Sequence, residues 1–389
     1  MTDVVRQPLE EVLDLLQVGE PLPFHVLDPH ERRLLAEGHV VVGQGQLEAL
    51  IARGAWVDRR VVEALRAARS QASADALPLQ ARVLTLFDHW EGAVWELDNQ
   101  LRRVMAGQRA MTDLVDLGQS LISRVDHHAD AALYLVVRPA DPRFALYALQ
   151  HALHCATVGL VLSRQLGWPA SEQARLVAAA LTMNVSTLEL QAQMALQSNP
   201  PTTRQREQIQ GHPEASEALL RQAGVTDEAW LRAVREHHER PGGGGYPAGL
   251  STLSPLAHAL RTVDVFTAKI SSRAIREPLA IQVAAKQLFQ EEKGGPMAAG
   301  LIKGLGLYPP GDTVQLQCGE VAVVTHRGAS ATTPRVASIT NDKGQPVAAT
   351  VHRDTAVAPY GITGAVSDRK ALPRVPAERV YGLLAAEPG

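Results

Sequence analysis

The stretch His237-His238-Glu239-Arg240-Pro241-Gly242-Gly243-Gly244-Gly245-Tyr246-Pro247 is the one around which the chain is organised. Adjacent imidazoles at a helix end each offer a nitrogen to a metal. A glycine run lets backbone approach a ligand with no Cβ in the way. An ordinary core has little use for that combination. Residues 226–238 carry the apolar spacing of a helix, so the histidines close a helix and the glycines open a loop.

Working outward, the same helical spacing recurs near 80–106, 109–124, 144–166, 171–182, 203–223, 255–272 and 278–292. These segments end at glycine or proline boundaries, Gly167 being a typical C-terminal glycine, and Pro139 to Pro142 interrupts the pattern. Residues 80–305 therefore read as one all-helical domain. Residues 1–70 read as a small α+β module. It has a helix over 5–18, short strands at 21–27, 34–35 and 40–42, and a helix from Gln46 to Arg53 stopped by Gly54. Residues 71–76 suit a linker. After Leu305 the period alternates, and two hairpins turn at Gly319-Glu320 and at Asn341 to Gly344, giving a C-terminal antiparallel β unit over 306–360. Residues 361–389 are expected to be a peripheral tail. The expected fold class is mostly α.

Composition narrows the function. A net charge of -3 over 389 residues carries no bulk basic signal for nucleic acid. Cys155 and Cys318 fit neither a metal pair nor a disulfide framework, which suits a reducing compartment. No apolar run approaches the roughly 18 residues needed to span a bilayer, and Met1-Thr2-Asp3 does not open a signal peptide. The expectation is a soluble cytoplasmic protein with no membrane span.

His151, His212, His237, His238 and Asp264 lie on predicted helices of the central domain. Histidines and a carboxylate converging from several helices are a familiar ligand set for a metal inside a bundle. Any one of them alone is more often a hydrogen-bonded core residue. Asp264 stands in an apolar run, where a buried carboxylate needs a partner or a metal.

The His-His-Glu-Arg and Gly-Tyr-Pro elements resemble the signature of HD-GYP proteins, the metal-dependent phosphodiesterases of cyclic di-GMP in the HD superfamily. The resemblance extends over most of the chain, more weakly in the N-terminal module. It implies an HD-type helical domain and metal ligation by His151, His212, His237, His238 and Asp264. It also implies ligand contacts from Arg240, Gly243, Gly245, Tyr246 and Pro247, and phosphate contacts from Arg273 and Arg276, whose spacing predicts one helical face. The family's His-Asp-x-Gly-Lys follows an Ala-Ala-Leu-Leu run. Here Ala179-Ala180-Leu181-Thr182 is followed by Met183-Asn184-Val185-Ser186-Thr187. Met183 stands for the histidine, Asn184 for the aspartate, Ser186 for the glycine and Thr187 for the lysine. Gly242 replaces an aspartate in the glycine loop and Thr267 replaces a second aspartate after Asp264. Tyr147 stands where some members carry a glutamate.

The substitutions have one chemical direction. A neutral amide bridges two metals poorly where a carboxylate bridged them, a thioether is a soft donor, and threonine supplies no positive charge to a phosphate. The reading is a degenerate HD-GYP protein, impaired in catalysis, that regulates, binds cyclic di-GMP or engages protein partners of that signalling system. Its site holds one divalent metal, iron or manganese, or none. The alternatives are an active phosphodiesterase with a rearranged or mononuclear site, and a purely structural helical protein that forms homo-oligomers.

Overall fold

The computed structural model describes residues 5–71, 84–138, 143–366, 372–373 and 375–382. The linker expected at 71–76 lies, beyond Gln71, outside the described residues, and so does the interruption from Pro139 to Pro142. The chain divides into two compact units, Met1–Arg102 and Arg103–Gly389.

The first unit is α+β. Strands β1 (Arg6–Pro8), β2 (Val26–Leu27), β3 (Arg33–Leu35) and β4 (Trp56–Asp58) form an antiparallel sheet in the order β1-β4-β2-β3. Helices α1 (Gln44–Ala52) and α2 (Arg59–Gln71) accompany it. The helix expected over 5–18 is replaced by β1 and a 3-10 segment, Leu9–Leu15. The burial explains why. Leu9, Val12 and Leu15 are buried at every third residue, the period of a 3-10 turn, whereas Val5 and Leu13 face solvent. The valines at 40–42 form only an isolated bridge, Val40 to Pro21. Helix α3 (Leu86–Met105) belongs to this unit as far as Arg102. Its fully buried Asp98 takes both nitrogens of an Arg53 fork at 2.7 and 2.9 Å, a bidentate ion pair that satisfies the buried carboxylate.

The second unit begins with α4 (Met111–Val137), which is kinked at His128 and runs past the expected end at 124. Then come α5 (Tyr147–Gln165), α6 (Ala170–Thr182), α7 (Leu188–Leu196), α8 (Thr203–Gln222), α9 (Glu228–Glu236), α10 (Pro255–Ile270), α11 (Ile281–Glu291) and α12 (Pro296–Leu305). The boundaries follow local chemistry. Thr202 and Gln205 make a capping box at α8, Asp227 caps α9, and Ser254 caps α10 with Pro255 in its first turn. Helices α7 and α12 add to those expected from periodicity.

Helix α5 is central, packing on α4, α6, α10 and α12. With its preceding turn, Phe144–Gln165, it is long and apolar enough to cross a membrane, contrary to the expectation that no such stretch exists. His151, His154 and Gln150 break the run by eye but not its average, and most of the helix is buried inside the protein, as a core helix is.

The second unit also holds the C-terminal sheet, β5 (Thr313–Leu316), β6 (Val321–His326), β7 (Arg335–Thr340), β8 (Pro346–Asp354) and β9 (Ile362–Ala365), antiparallel in the order β8-β7-β6-β5-β9. Val314, Leu316, Ala322, Val324 and Val336 form its core. Both expected hairpins are present. The segment after 361 is more than a tail: β9 pairs with β5, and helix α13 (Ala377–Val380) docks on β8 through the Thr350 hydroxyl, which donates to the Arg379 carbonyl. The chain is mostly helical, with a small antiparallel sheet toward each end.

Candidate metal centre

Four helices deliver the histidines and the aspartate. His151 lies in the second turn of α5, His212 in the middle of α8, His237 and His238 at the end of α9, and Asp264 in the buried face of α10. Their ligand atoms fall into two adjacent groups, His212 with His237 and His238, and His151 with Cys155 and Asp264. Within each group these atoms lie within 4.8 Å of one another. Asp264 joins the groups: Oδ1 is 2.7 Å from His151 Nε2, and Oδ2 is 3.9 Å from His238 Nδ1. The expected ligands are thus brought together, and Cys155 joins them. A sequence signal for it existed, since Cys155 follows His151 by one helical turn.

The protons can be placed. His212 Nδ1 lies 2.6 Å from the Ile209 carbonyl and His237 Nδ1 lies 2.6 Å from the Val234 carbonyl. A carbonyl only accepts, so each Nδ1 carries the proton and each Nε2 of the neutral ring is a bare lone pair. Those two lone pairs face each other at 3.2 Å. Burial resists placing a proton between them. It drives the His212 pKa down to about 3, helped by His237, and lowers His237 and, more strongly, His238. A cation removes the conflict. Two nitrogens bound tetrahedrally to one zinc-like ion lie about 3.3 Å apart. Burial pushes the Asp264 carboxyl up, but its hydrogen bond to His151 and the charges of the histidines outweigh that, so it stays ionised below the usual carboxylate range. A carboxylate, bare imidazole nitrogens and backbone-oriented rings fit a divalent transition metal.

The glycine loop is set by Glu239. Its buried carboxylate accepts backbone N–H bonds from Ala248 at 2.6 Å, Gly249 at 3.0 Å and Leu250 at 2.9 Å. Gly242, Gly243 and Gly244 take positive φ of 88°, 92° and 78°, which suits glycine alone at no cost. Gly245 lies against the chain itself, where a Cβ would meet Glu239 Cα at 2.4 Å. Tyr246 lays its ring 4.7 Å from that of His238, and the peptide to Pro247 is cis. Arg240 is exposed beside the loop.

The arginine pair departs from expectation. Helix α10 ends at Ile270, and Arg273 and Arg276 exchange backbone hydrogen bonds in a tight turn, so they do not share a helical face. The backbone turns extended at Ser271, before either arginine is reached. Arg273 donates to the Tyr147 hydroxyl and stands 4.7 Å over its ring, and Tyr147 in turn stacks on His151. Arg276 donates to the Ala268 carbonyl.

The altered signature sits at the end of α6. Met183 is fully buried and closes the helix on Ala179, and Asn184 and Thr187 are buried too. The Thr187 hydroxyl is spent on the Asn184 carbonyl. Ser186 donates its hydroxyl to the His212 carbonyl at 3.1 Å and meets the Ser216 hydroxyl at 2.9 Å, so this turn is bound directly to the part of α8 that carries His212.

Residues 143–294 match the HD domain family. The cyclic di-GMP phosphodiesterase PA4108 of Pseudomonas aeruginosa is 26% identical over 231 residues, which is 58% of this chain. The match covers 54% of that protein, so the chain spans about half its length. A solved structure, that of Bd1817, an HDG"Y"P protein from Bdellovibrio bacteriovorus, is similar with a TM-score of 0.49 and 14% identity, over 77% of this chain and 99% of that one.

Proposed function

We propose, on the premise that this chain belongs to the HD superfamily as an HD-GYP protein, that it is a catalytically impaired member that keeps a metal and a cyclic di-GMP site for regulation. The observation that carries the reading is the split state of the site. His151, His212, His237, His238 and Asp264 sit together, while Met183 and Asn184 occupy the buried turn where the second half of the ligand set is expected.

A bound divalent cation supplies Lewis-acid polarisation of a phosphate oxygen or a water. The protein's part is orientation. The Ile209 and Val234 carbonyls fix the His212 and His237 tautomers, and Asp264 holds His151 and supplies the negative charge. Asn184 adds no charge to bridge a second cation, so one metal, iron or manganese, is the expected load and hydrolysis is lost or severely slowed. The cytoplasm, with diguanylate cyclases or their regulators as protein partners, is the setting this reading implies.

Metal analysis of purified protein together with a cyclic di-GMP hydrolysis assay tests it. About one metal per chain, saturable cyclic di-GMP binding and no turnover with added manganese or iron is the expected result. Turnover that vanishes in His237→Ala and His238→Ala overturns it in favour of an active mononuclear or rearranged enzyme. That second reading draws on the same convergence of ligands.

A further inference from the structure

We infer that Cys155 is a ligand of the metal, through a sulfur donor that biases the site toward thiophilic cations such as zinc, cobalt(II) and iron(II) over manganese. The inference rests on the proposed metal site and adds to it a residue and a selectivity.

The geometry carries it. Cys155 Sγ lies 3.5 Å from His151 Nε2, the same nitrogen that meets Asp264 Oδ1. A zinc–sulfur bond of about 2.3 Å and a zinc–nitrogen bond of about 2.05 Å, meeting at the tetrahedral angle, place the two donors about 3.5 Å apart. The pair already has the edge length of a coordination tetrahedron. The Sγ, Nε2 and Oδ1 donors form a compact set, buried in all three residues. As a purely structural residue the fully buried thiol is held by weak contacts, the Val263 carbonyl at 3.9 Å and the Thr267 side chain. Burial, and then the negative charge of Asp264, hold it protonated in the metal-free protein. Binding would therefore exchange two bonds to hydrogen for bonds to the metal: the Cys155 thiol proton would leave to solvent, and the His151 Nε2 proton that faces the ionised Asp264 would leave to solvent or move to Nδ1. A mixed sulfur, nitrogen and oxygen set suits zinc, cobalt and ferrous ions, whereas manganese prefers oxygen and nitrogen.

Cobalt(II) loading of the full chain reads this directly. The wild-type protein and Cys318→Ser are expected to show a near-ultraviolet thiolate-to-cobalt charge-transfer band together with visible d–d bands. Cys155→Ser and Cys155→Ala are expected to lose the charge-transfer band and keep the d–d bands. Cobalt uptake with d–d bands and no charge-transfer band in the wild type overturns the inference and leaves the metal site standing. Absence of any cobalt or zinc uptake overturns both. If the Cys155 variants fail to fold, X-ray absorption of the zinc-loaded wild type decides, with one sulfur at about 2.3 Å expected and a shell of nitrogen and oxygen alone overturning the inference.

Discussion

Arg273 spends its guanidinium on Tyr147, donating to the hydroxyl while standing over the ring. Any phosphate that recruits Arg273 must first draw it from that partner. A hydrogen bond to a charged group contributes about 1.5–3 kcal/mol net. Tyr147→Phe is therefore expected to raise cyclic di-GMP affinity roughly 10- to 100-fold, and Arg273→Ala to weaken it. Isothermal titration of the two variants checks this, and unchanged affinity in both removes Arg273 from the ligand site.

The buried histidines make the metal-free protein sensitive to acid. His212 has a folded pKa of about 3 against an unfolded value of 6.5. Between those values the unfolded chain binds the extra proton, so stability is fully present above pH 6.5 and falls as pH drops toward 3. His237 and His238 shift the same way. Urea midpoints of chelator-treated protein at pH 7.5 and pH 5 are expected to differ, the lower pH being less stable. His212→Asn is expected to shrink the difference.

Glu239 organises the glycine loop through its three amide contacts. Glu239→Ala leaves those donors without their carboxylate, at a cost of about 1–3 kcal/mol each where they stay buried. Hydrogen exchange at Ala248, Gly249 and Leu250 is expected to accelerate sharply, while amides in the C-terminal sheet keep their protection. Gly245→Ala is expected to lower the melting temperature, because its Cβ meets backbone that cannot yield.

Restoring the altered signature tests the proposed impairment of catalysis. The double variant Met183→His and Asn184→Asp is expected to raise bound metal from about one to about two per chain and to bring measurable cyclic di-GMP hydrolysis. Unchanged metal content in a folded double variant places the deficit elsewhere, with Gly242 and Thr267 the next positions to restore.

Periodicity placed the long helices well because each buries a continuous apolar face. It misses α7 and α12, which are short, and the spacing of Val5, Leu9, Val12, Leu13 and Leu16 reads as α-helical because periods of 3 and 3.6 barely separate over so few residues. Asp264 was legible as a buried charge in an apolar run. The turn that takes Arg273 and Arg276 off the helix was not, since side-chain spacing says nothing of where a helix stops without a strong capping signal. The spacing of Cys155 to Cys318 carries no pairing signal, whereas His151 lies one helical turn from Cys155.

Ser186 gives the altered signature a consequence for the scaffold. Because this serine ties the Met183-Asn184 turn to α8 through the His212 carbonyl and Ser216, the turn stays attached whatever side chains stand at 183 and 184. Chemistry and architecture are separable here: these two positions can change their donors while the packing of α6 on α8 is kept by Ser186.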